Sequence, residues 1–270
     1  MPPTNVSSSP VTTRTSWDPD LPAALGGSCA IHQPNLFPRL ATLAKLFAAD
    51  TWIVLDDVQF TRTDYQHRAK LAHLDDTDRR QWLSLATHLP AGRATLIQDA
   101  RIAESDECRR RIDLLVKQYY RRSPHWAVIE QILNAVLCVF DHTDHTATVT
   151  EASTLALLDV LGWHGEVLHS SDMPSGTGRS ERLADLATVI GADTYLCGTG
   201  GMRYLETEHF LARNIDVVPF RATHFSVGVI WDTSRQISAL WALARLGPQV
   251  LADELSVVKA ANRRTTVLDA

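Results

Sequence analysis

The chain lacks the marks of several common protein classes. Its four cysteines are widely spaced and form no C-x-x-C pair, so the sequence predicts no zinc or other metal site and no disulfide framework. Reduced thiols in a cytoplasmic protein are the simplest interpretation. No internal repeat is visible, which gives no indication of a solenoid or propeller.

Excess positive charge and long apolar runs are missing as well. A net charge of -5 provides no general attraction to nucleic acid or to an anionic bilayer. No segment is apolar for long enough to span a membrane, and residues 1–24 resemble a disordered tail rather than a signal peptide. We therefore expect a cytoplasmic protein without nucleic-acid or membrane partners, in which one domain at 25–256 is followed by a C-terminal tail at 257–270.

Strand and helix patterns alternate along this chain. Strands are predicted near 29–33, 51–56, 81–86, 97–102, 166–170, 193–197 and 215–220. Helices are predicted near 38–49, 106–121, 124–140, 147–161, 180–190, 206–213 and 235–246. Such alternation is typical of an α/β fold with a mostly parallel, Rossmann-like sheet flanked by helices, and residues 67–102 are interpreted as a β-rich insertion.

The most informative stretch is residues 29–45, where a short apolar strand ends at polar groups and a helix follows. His32 and Gln33 are candidate catalytic residues, and Asn35 and Lys45 are candidate substrate-binding residues. An isolated histidine at a strand end more often packs there and bonds to the backbone. Here its amide neighbours favour function, because an imidazole beside amide groups suits proton transfer at a carbonyl or phosphate.

A second polar cluster follows the strand pattern T-W-I-V-L. It consists of Asp56 and Asp57, which are catalytic candidates, and Gln59, a substrate-binding candidate. Either aspartate could cap the turn, orient His32 or hold a divalent cation through water. Adjacent strand residues point to opposite faces, so only one of the two is expected to enter a site.

A glycine turn follows the strand pattern D-T-Y-L-C. Its substrate-binding candidates are Gly198, Thr199, Gly200 and Gly201. Glycine N–H groups can approach a phosphate or an oxyanion, but an ordinary turn needs glycine equally, and this one matches neither G-x-G-x-x-G nor a P-loop. Cys197 before the turn could be a nucleophile or a small buried strand residue. If the three strands are parallel neighbours, their three polar clusters converge at one edge of the sheet.

A fourth element is S-G-T-G-R-S-E-R-L at residues 175–183. Arg179, Glu181 and Arg182 open a predicted helix after a glycine-containing loop. A solvated helix start would explain the charges alone. A mobile substrate loop that carries the two arginines to an anionic group would explain the charges and the glycines together.

In this order the residues resemble the WbqC-like protein family. The family pattern of a strand, I-H-Q-P-N, an aromatic residue and a proline, a helix with a lysine, and L-D-D-V-Q-F is similar to residues 31–60. E-R-L, then G-A-D-T-Y-L, a glycine turn and Y-L follow at residues 181–205. His67, Arg39 and Cys197 stand where asparagine, tryptophan and serine are common, so acceptor recognition is expected to differ in this member.

The resemblance implies transfer of an acyl group, such as glycyl or another aminoacyl unit, from a thioester donor to the amine of a small molecule. The setting would be bacterial natural-product or surface-polysaccharide biosynthesis. No resident cofactor is required, since the donor would be a coenzyme A thioester or a phosphopantetheine thioester on an acyl or peptidyl carrier protein. A Rossmann-like nucleotide-binding transferase and a non-catalytic small-molecule binding module remain the alternatives.

In the acyl-transfer hypothesis His32 removes a proton from the attacking amine, and Asp56 or Asp57 orients its imidazole. Gln33, Asn35 and the N–H groups around Gly200 would stabilise the oxyanion. The phosphate of the donor would be bound by the arginines at 179–182, or by Arg68 with Lys45.

Overall fold

The computed structural model describes residues 27–222 and 228–264. Its strands are β1 (Ser28–His32), β2 (Thr51–Val54), β3 (Arg68–Ala72), β4 (Arg80–Ser84), β5 (Thr87–His88), β6 (Arg101–Ile102), β7 (Glu166–His169), β8 (Thr194–Cys197) and β9 (Asp216–Pro219). Its helices are α1 (Leu40–Ala48), α2 (Ser105–Tyr120), α3 (Trp126–Val139), α4 (Thr146–Val160), α5 (Arg179–Val189), α6 (Glu208–Leu211), α7 (Gly228–Asp232) and α8 (Ala239–Arg264). None of the helices in these ranges is both long and apolar enough to cross a bilayer.

Five of the strands form one parallel sheet in the order β7-β2-β1-β8-β9. The strands are short and mostly apolar, as expected for a sheet that is covered on both faces. From β1 the chain continues to β2 on one side, and it later returns to β8 on the other. The strand order therefore reverses between β1 and β8, which makes this the topological switch point of the sheet.

Helices cover both faces of this sheet. Alternate residues of each strand point to opposite sides, so Ala30 and Trp52 face one layer while Ile31 and Ile53 face the other. The first layer contains α1, α4 and α8, which contact one another, and the second contains α5 and α6. The prediction of a mostly parallel α/β fold is confirmed.

The predicted β-rich insertion is present as two antiparallel pairs, β3 with β4 and β5 with β6. β3 was not predicted as a separate strand, although its alternation of Arg68 and Lys70 with apolar residues is the pattern of a half-buried strand. The strand expected at 97–102 is wrong in most of its length, since only β6 is extended there and residues 97–100 form turns.

The C-terminal boundary also needs correction. α8 runs to Arg264 and buries Val258, so residues 257–264 belong to the domain and not to the expected tail at 257–270. The break that the sequence suggested near 246 is a kink: Gly247 has φ 78°, and Pro248 restarts the helix. The tail expected at 1–24 lies outside the described residues.

Candidate functional site

A cavity of about 730 Å³ opens at the carboxyl ends of β1 and β8. Its volume suits a small-molecule ligand, and its place at the switch point is where open α/β sheets bind ligands. The candidates from the sequence that line it are His32, Gln33, Lys45, Arg179, Arg182, Cys197, Gly198, Thr199, Gly200 and Gly201. The structure therefore brings together the cluster after β1, the glycine turn after β8 and the arginines of α5.

Other candidates lie beside this cavity without lining it. They are Asn35, Asp56, Asp57, Gln59, Arg68 and Glu181. Asn35 is buried and donates to the Pro34 carbonyl at 3.0 Å, while Gln59 donates to the Arg93 carbonyl at 2.6 Å. The guanidinium of Arg68 stacks over the Trp82 ring at 4.4 Å, so these three side chains have local partners.

The two aspartates bind the segment that follows β7. Asp56 accepts hydrogen bonds from the Ser171 N–H at 3.1 Å and from the Ser171 hydroxyl at 2.9 Å. Asp57 accepts from the Ser170 hydroxyl and from the Arg182 guanidinium. Burial alone would raise the pKa of Asp57, but the bonds from Arg182 and Ser170 lower that pKa below its ordinary value. The expectation that one of these carboxylates orients His32 is wrong, and Asp57 instead fixes an arginine of the cavity.

The imidazole of His32 has a defined tautomer. Its Nδ1 lies 2.7 Å from the Gln33 carbonyl oxygen, which can only accept, so Nδ1 carries the proton and Nε2 offers a lone pair. Burial, followed by the positive charge of Lys45, lowers the pKa of His32 to about 3. This histidine stays neutral across the physiological range. It can accept a hydrogen bond from a ligand through Nε2.

The amide of Gln33 is oriented by a relay that starts at the backbone. The Thr61 N–H donates to Gln66 Oε1 at 2.9 Å, and Gln66 Nε2 donates to Gln33 Oε1 at 2.8 Å. Because the first donor is a backbone N–H, the direction of both amides follows from it. Gln33 is left with its NH₂ group for a ligand in the cavity. Gln66 is 1 % exposed and was not recognised from the sequence, where it is only a polar residue ahead of β3.

Lys45 lies on α1 and is 5 % exposed. Its Nζ donates to the Ile31 carbonyl at 3.3 Å and lies 3.9 Å from the position that a Cβ on Gly198 would occupy. Burial lowers the pKa of Lys45 to about 8, against the opposing effect of the Cys197 and Cys29 thiols. Within the described ranges no carboxylate pairs with this amine.

The glycine turn after β8 offers backbone donors. Thr199 and Gly200 line the cavity, and their N–H groups have no hydrogen-bond partner among the residues that the structure describes. A Cβ on Gly201 would lie 2.9 Å from Cys197 Sγ, which explains a glycine there. Burial raises the pKa of the Cys197 thiol, so this group stays protonated near neutral pH and lacks the activation that the nucleophile hypothesis requires.

Positive charge surrounds the cavity. Besides Lys45, Arg179 and Arg182, it is lined by Arg39 and Arg235, which the sequence did not indicate as site residues. The Arg39 guanidinium stacks over the Tyr65 ring at 4.1 Å and donates to the Arg235 carbonyl at 3.2 Å. In the sequence, Arg39 was notable only because arginine stands where the family commonly has tryptophan.

Asp64 is the single carboxylate among the described residues that line this cavity. Five cationic side chains therefore face one acidic group, and the cavity attracts an anionic ligand such as a phosphate or a carboxylate. Its neutral acceptors include the lone pair of His32 Nε2, beside hydroxyl groups such as those of Thr42 and Thr177.

Comparison with known proteins agrees with the resemblance of the motifs. The model of the WbqC-like protein family matches residues 33–226, a range that includes most of the residues lining the cavity but not Ile31, His32 or Arg235. The chain belongs to the WbqC-like protein family. This WbqC-like protein is 24% identical over 212 residues to the uncharacterized protein Rv1507c of Mycobacterium tuberculosis (strain ATCC 25618 / H37Rv), a match that covers 78% of this chain and 86% of that relative. No solved structure matches it.

Proposed function

We propose that this WbqC-like protein is an acyl- or aminoacyltransferase, which moves an acyl group from a thioester donor to the amine of a small molecule. The observation that carries the proposal is the combination of oriented N–H donors with a neutral imidazole acceptor in one cationic cavity. Acyl transfer to an amine needs both, because negative charge develops on the carbonyl oxygen while the nucleophile carries protons. Natural-product or surface-polysaccharide biosynthesis is the proposed setting.

Stabilisation of the oxyanion is assigned to the Gln33 NH₂ group and the N–H groups of Thr199 and Gly200. The relay through Gln66 holds the Gln33 amide in place before the donor arrives. Donors that are fixed in advance stabilise developing charge without reorganisation, and the loss of one such donor typically lowers turnover by about 10²–10³.

The donor is proposed to be a thioester of coenzyme A or of phosphopantetheine on an acyl or peptidyl carrier protein. Such donors carry phosphate groups, which suit the arginines at the cavity. Arg182 is held by Asp57, and the Arg179 guanidinium lies 5.2 Å from the Tyr204 ring centroid. Arginine binds phosphate through two parallel N–H groups, so both side chains fit this task.

His32 is assigned to the acceptor amine. Its imidazole stays neutral and Nε2 has a lone pair, so Nε2 accepts a hydrogen bond from one N–H of the amine. This hydrogen bond directs the lone pair of the amine nitrogen away from His32. This is a positioning role and differs from the general base that the sequence suggested.

Release of free thiol tests the proposal. Acetyl, glycyl and larger aminoacyl thioesters of coenzyme A and of N-acetylcysteamine are incubated with the protein and a panel of amino sugars and amino acids. We expect amine-dependent thiol release that Gln33→Glu lowers about 10²–10³-fold, because a carboxylate cannot donate to an oxyanion. Gln59→Glu is the matched control, since Gln59 does not line the cavity. Absence of amine-dependent release across the panel would contradict acyl transfer.

A nucleotide-binding transferase is the second candidate, and the location of the cavity favours it. Nucleotides bind at the switch point of Rossmann-like sheets, and cationic groups with free N–H donors also suit a pyrophosphate. A parallel incubation with nucleoside triphosphates and magnesium separates the two: magnesium-dependent release of pyrophosphate, in a protein that releases no thiol from the thioesters, would favour this candidate.

A further inference from the structure

Transfer of a proton from an acceptor amine in the cavity requires a group other than His32. His32 has its Nδ1 proton committed to a backbone carbonyl and lies close enough to the Lys45 ammonium to be disfavoured as a cation. Asp56 and Asp57 do not line the cavity, and their oxygens accept hydrogen bonds from Ser170, Ser171 and Arg182. Among the described groups that the sequence nominated for proton transfer, none accepts a proton readily at this point.

The surroundings of Lys45 favour its neutral amine. Its side chain lies beside β1 and β8 and reaches the cavity. Among the described residues, its one hydrogen bond goes to the Ile31 carbonyl, which can accept a hydrogen bond from the neutral amine as well as from the ammonium. The titratable and charged groups that face it are the Cys29 and Cys197 thiols and the His32 imidazole, and Arg39 also lines the cavity. No carboxylate in the described residues holds its proton in place.

The position of Lys45 also suits the chemistry. Its Nζ lies beside Gly198, where the glycine turn with its free N–H groups begins, so it is next to the atoms assigned to the oxyanion. Burial in a low dielectric lowers the pKa of a lysine toward the range in which it exchanges protons, and here the value is about 8.

We propose that Lys45 is the catalytic group that takes the proton from the acceptor amine and returns it to the leaving thiolate. This proposal rests on the proposed acyl transfer and deepens it. As the amine nitrogen forms its bond to the thioester carbonyl carbon, the neutral Lys45 amine accepts one N–H proton of that nitrogen. When the tetrahedral intermediate collapses, the C–S bond breaks, and the departing thiolate takes the proton from the Lys45 ammonium. The lysine is neutral again, and the products are an amide and a free thiol.

The first test needs no substrate. The protein is labelled with ¹³C at lysine Cε, and the chemical shifts are followed by NMR from about pH 6 to about pH 11. Lys45→Met assigns the Lys45 signal, and Lys117, which pairs with Asp113 on the surface of α2, is the internal reference. We expect a midpoint near 8 for Lys45, well below the end of the titration range. A Lys45 midpoint above about 10 would overturn the proposal whatever reaction the protein performs.

The second test uses the thiol-release assay over a range of pH. The wild-type rate should rise with pH to a plateau above about 8. The rate of Lys45→Arg should be about 10²–10⁴-fold lower at every pH, because arginine keeps the charge but does not give up its proton. Lys45→Met should lose a similar factor, and its thermal midpoint shows that the loss is not unfolding. Lys117→Arg is the control. An active wild type with an undiminished Lys45→Arg rate would refute the role of Lys45 alone, whereas an inactive wild type would refute acyl transfer.

Discussion

Replacement of Lys45 by methionine should make the protein more stable near neutral pH, although it removes a group from the cavity. Burial lowers the pKa of this lysine from 10.5 to about 8, and each tenfold change in protonation is worth about 1.4 kcal/mol. The folded state therefore holds the ammonium at a cost of about 3 kcal/mol near neutral pH. Methionine has a similar length and no charge, and it loses only the hydrogen bond to Ile31, worth about 1 kcal/mol.

The sign of the pH dependence follows from the same values. Between about pH 8 and about pH 10.5 the unfolded lysine holds more protons than the folded one, so wild-type stability rises with pH across this window. The advantage of Lys45→Met should therefore be about 2 kcal/mol near pH 7 and close to zero near pH 9.5.

Urea unfolding at these two pH values, followed by circular dichroism, measures the difference directly. Lys117→Met is the matched control and should change the free energy of unfolding by less than about 0.5 kcal/mol, because its pair with Asp113 is partly exposed. A Lys45→Met variant that is less stable than wild type at about pH 7, or whose advantage does not depend on pH, would refute a buried lysine with a lowered pKa.

Three further changes test contacts of the fold, two of them beside the cavity. Glu151→Gln should lower the free energy of unfolding by about 1–2 kcal/mol near pH 6 and have little effect near pH 9. The reason is that Glu151 raises the pKa of His169 to about 8, and the stabilisation is lost as the imidazole loses its proton. Denaturant titrations at both pH values measure the difference. Gly201→Ala should cost about 1–3 kcal/mol, and Cys197→Ala in the same chain should restore most of it in a double-mutant cycle. Gln66→Met should cost about 1–2 kcal/mol in denaturant, because the Thr61 N–H and the half-buried amide oxygen of Gln33 lose their partner, and equal stability would refute the relay.

The motifs after the strands predicted the place of the site well. His32 and the glycine turn at Gly200 are far apart in sequence, yet both follow apolar strand patterns, and parallel strands end at one edge of a sheet. Pattern alone could not give the direction of individual side chains. Asp56 follows such a strand too, but it binds Ser171 in the neighbouring connection, a partner that only the fold brings near.

The properties of the charged groups were beyond the sequence for a related reason. A lysine on an amphipathic helix is normally solvated, and nothing in the letters around Lys45 shows that β1 and β8 bury it. Likewise His32 has the ordinary pKa of imidazole until burial and the ammonium of Lys45 are added. Arg39 was visible only as an unusual residue at its position, and its place at the cavity depends on Tyr65 beneath its guanidinium.

The cavity between β1 and β8 is proposed to bind a phosphate-bearing donor, and hydrogen–deuterium exchange of the full chain can detect this binding. Exchange is read by mass spectrometry with and without coenzyme A, because this method reports many segments of the chain at once. We expect slower exchange at residues 177–183 and 198–204, which carry Arg179, Arg182 and the glycine turn. No change on addition of coenzyme A, or protection confined to the arginine-rich helix α2, would contradict it.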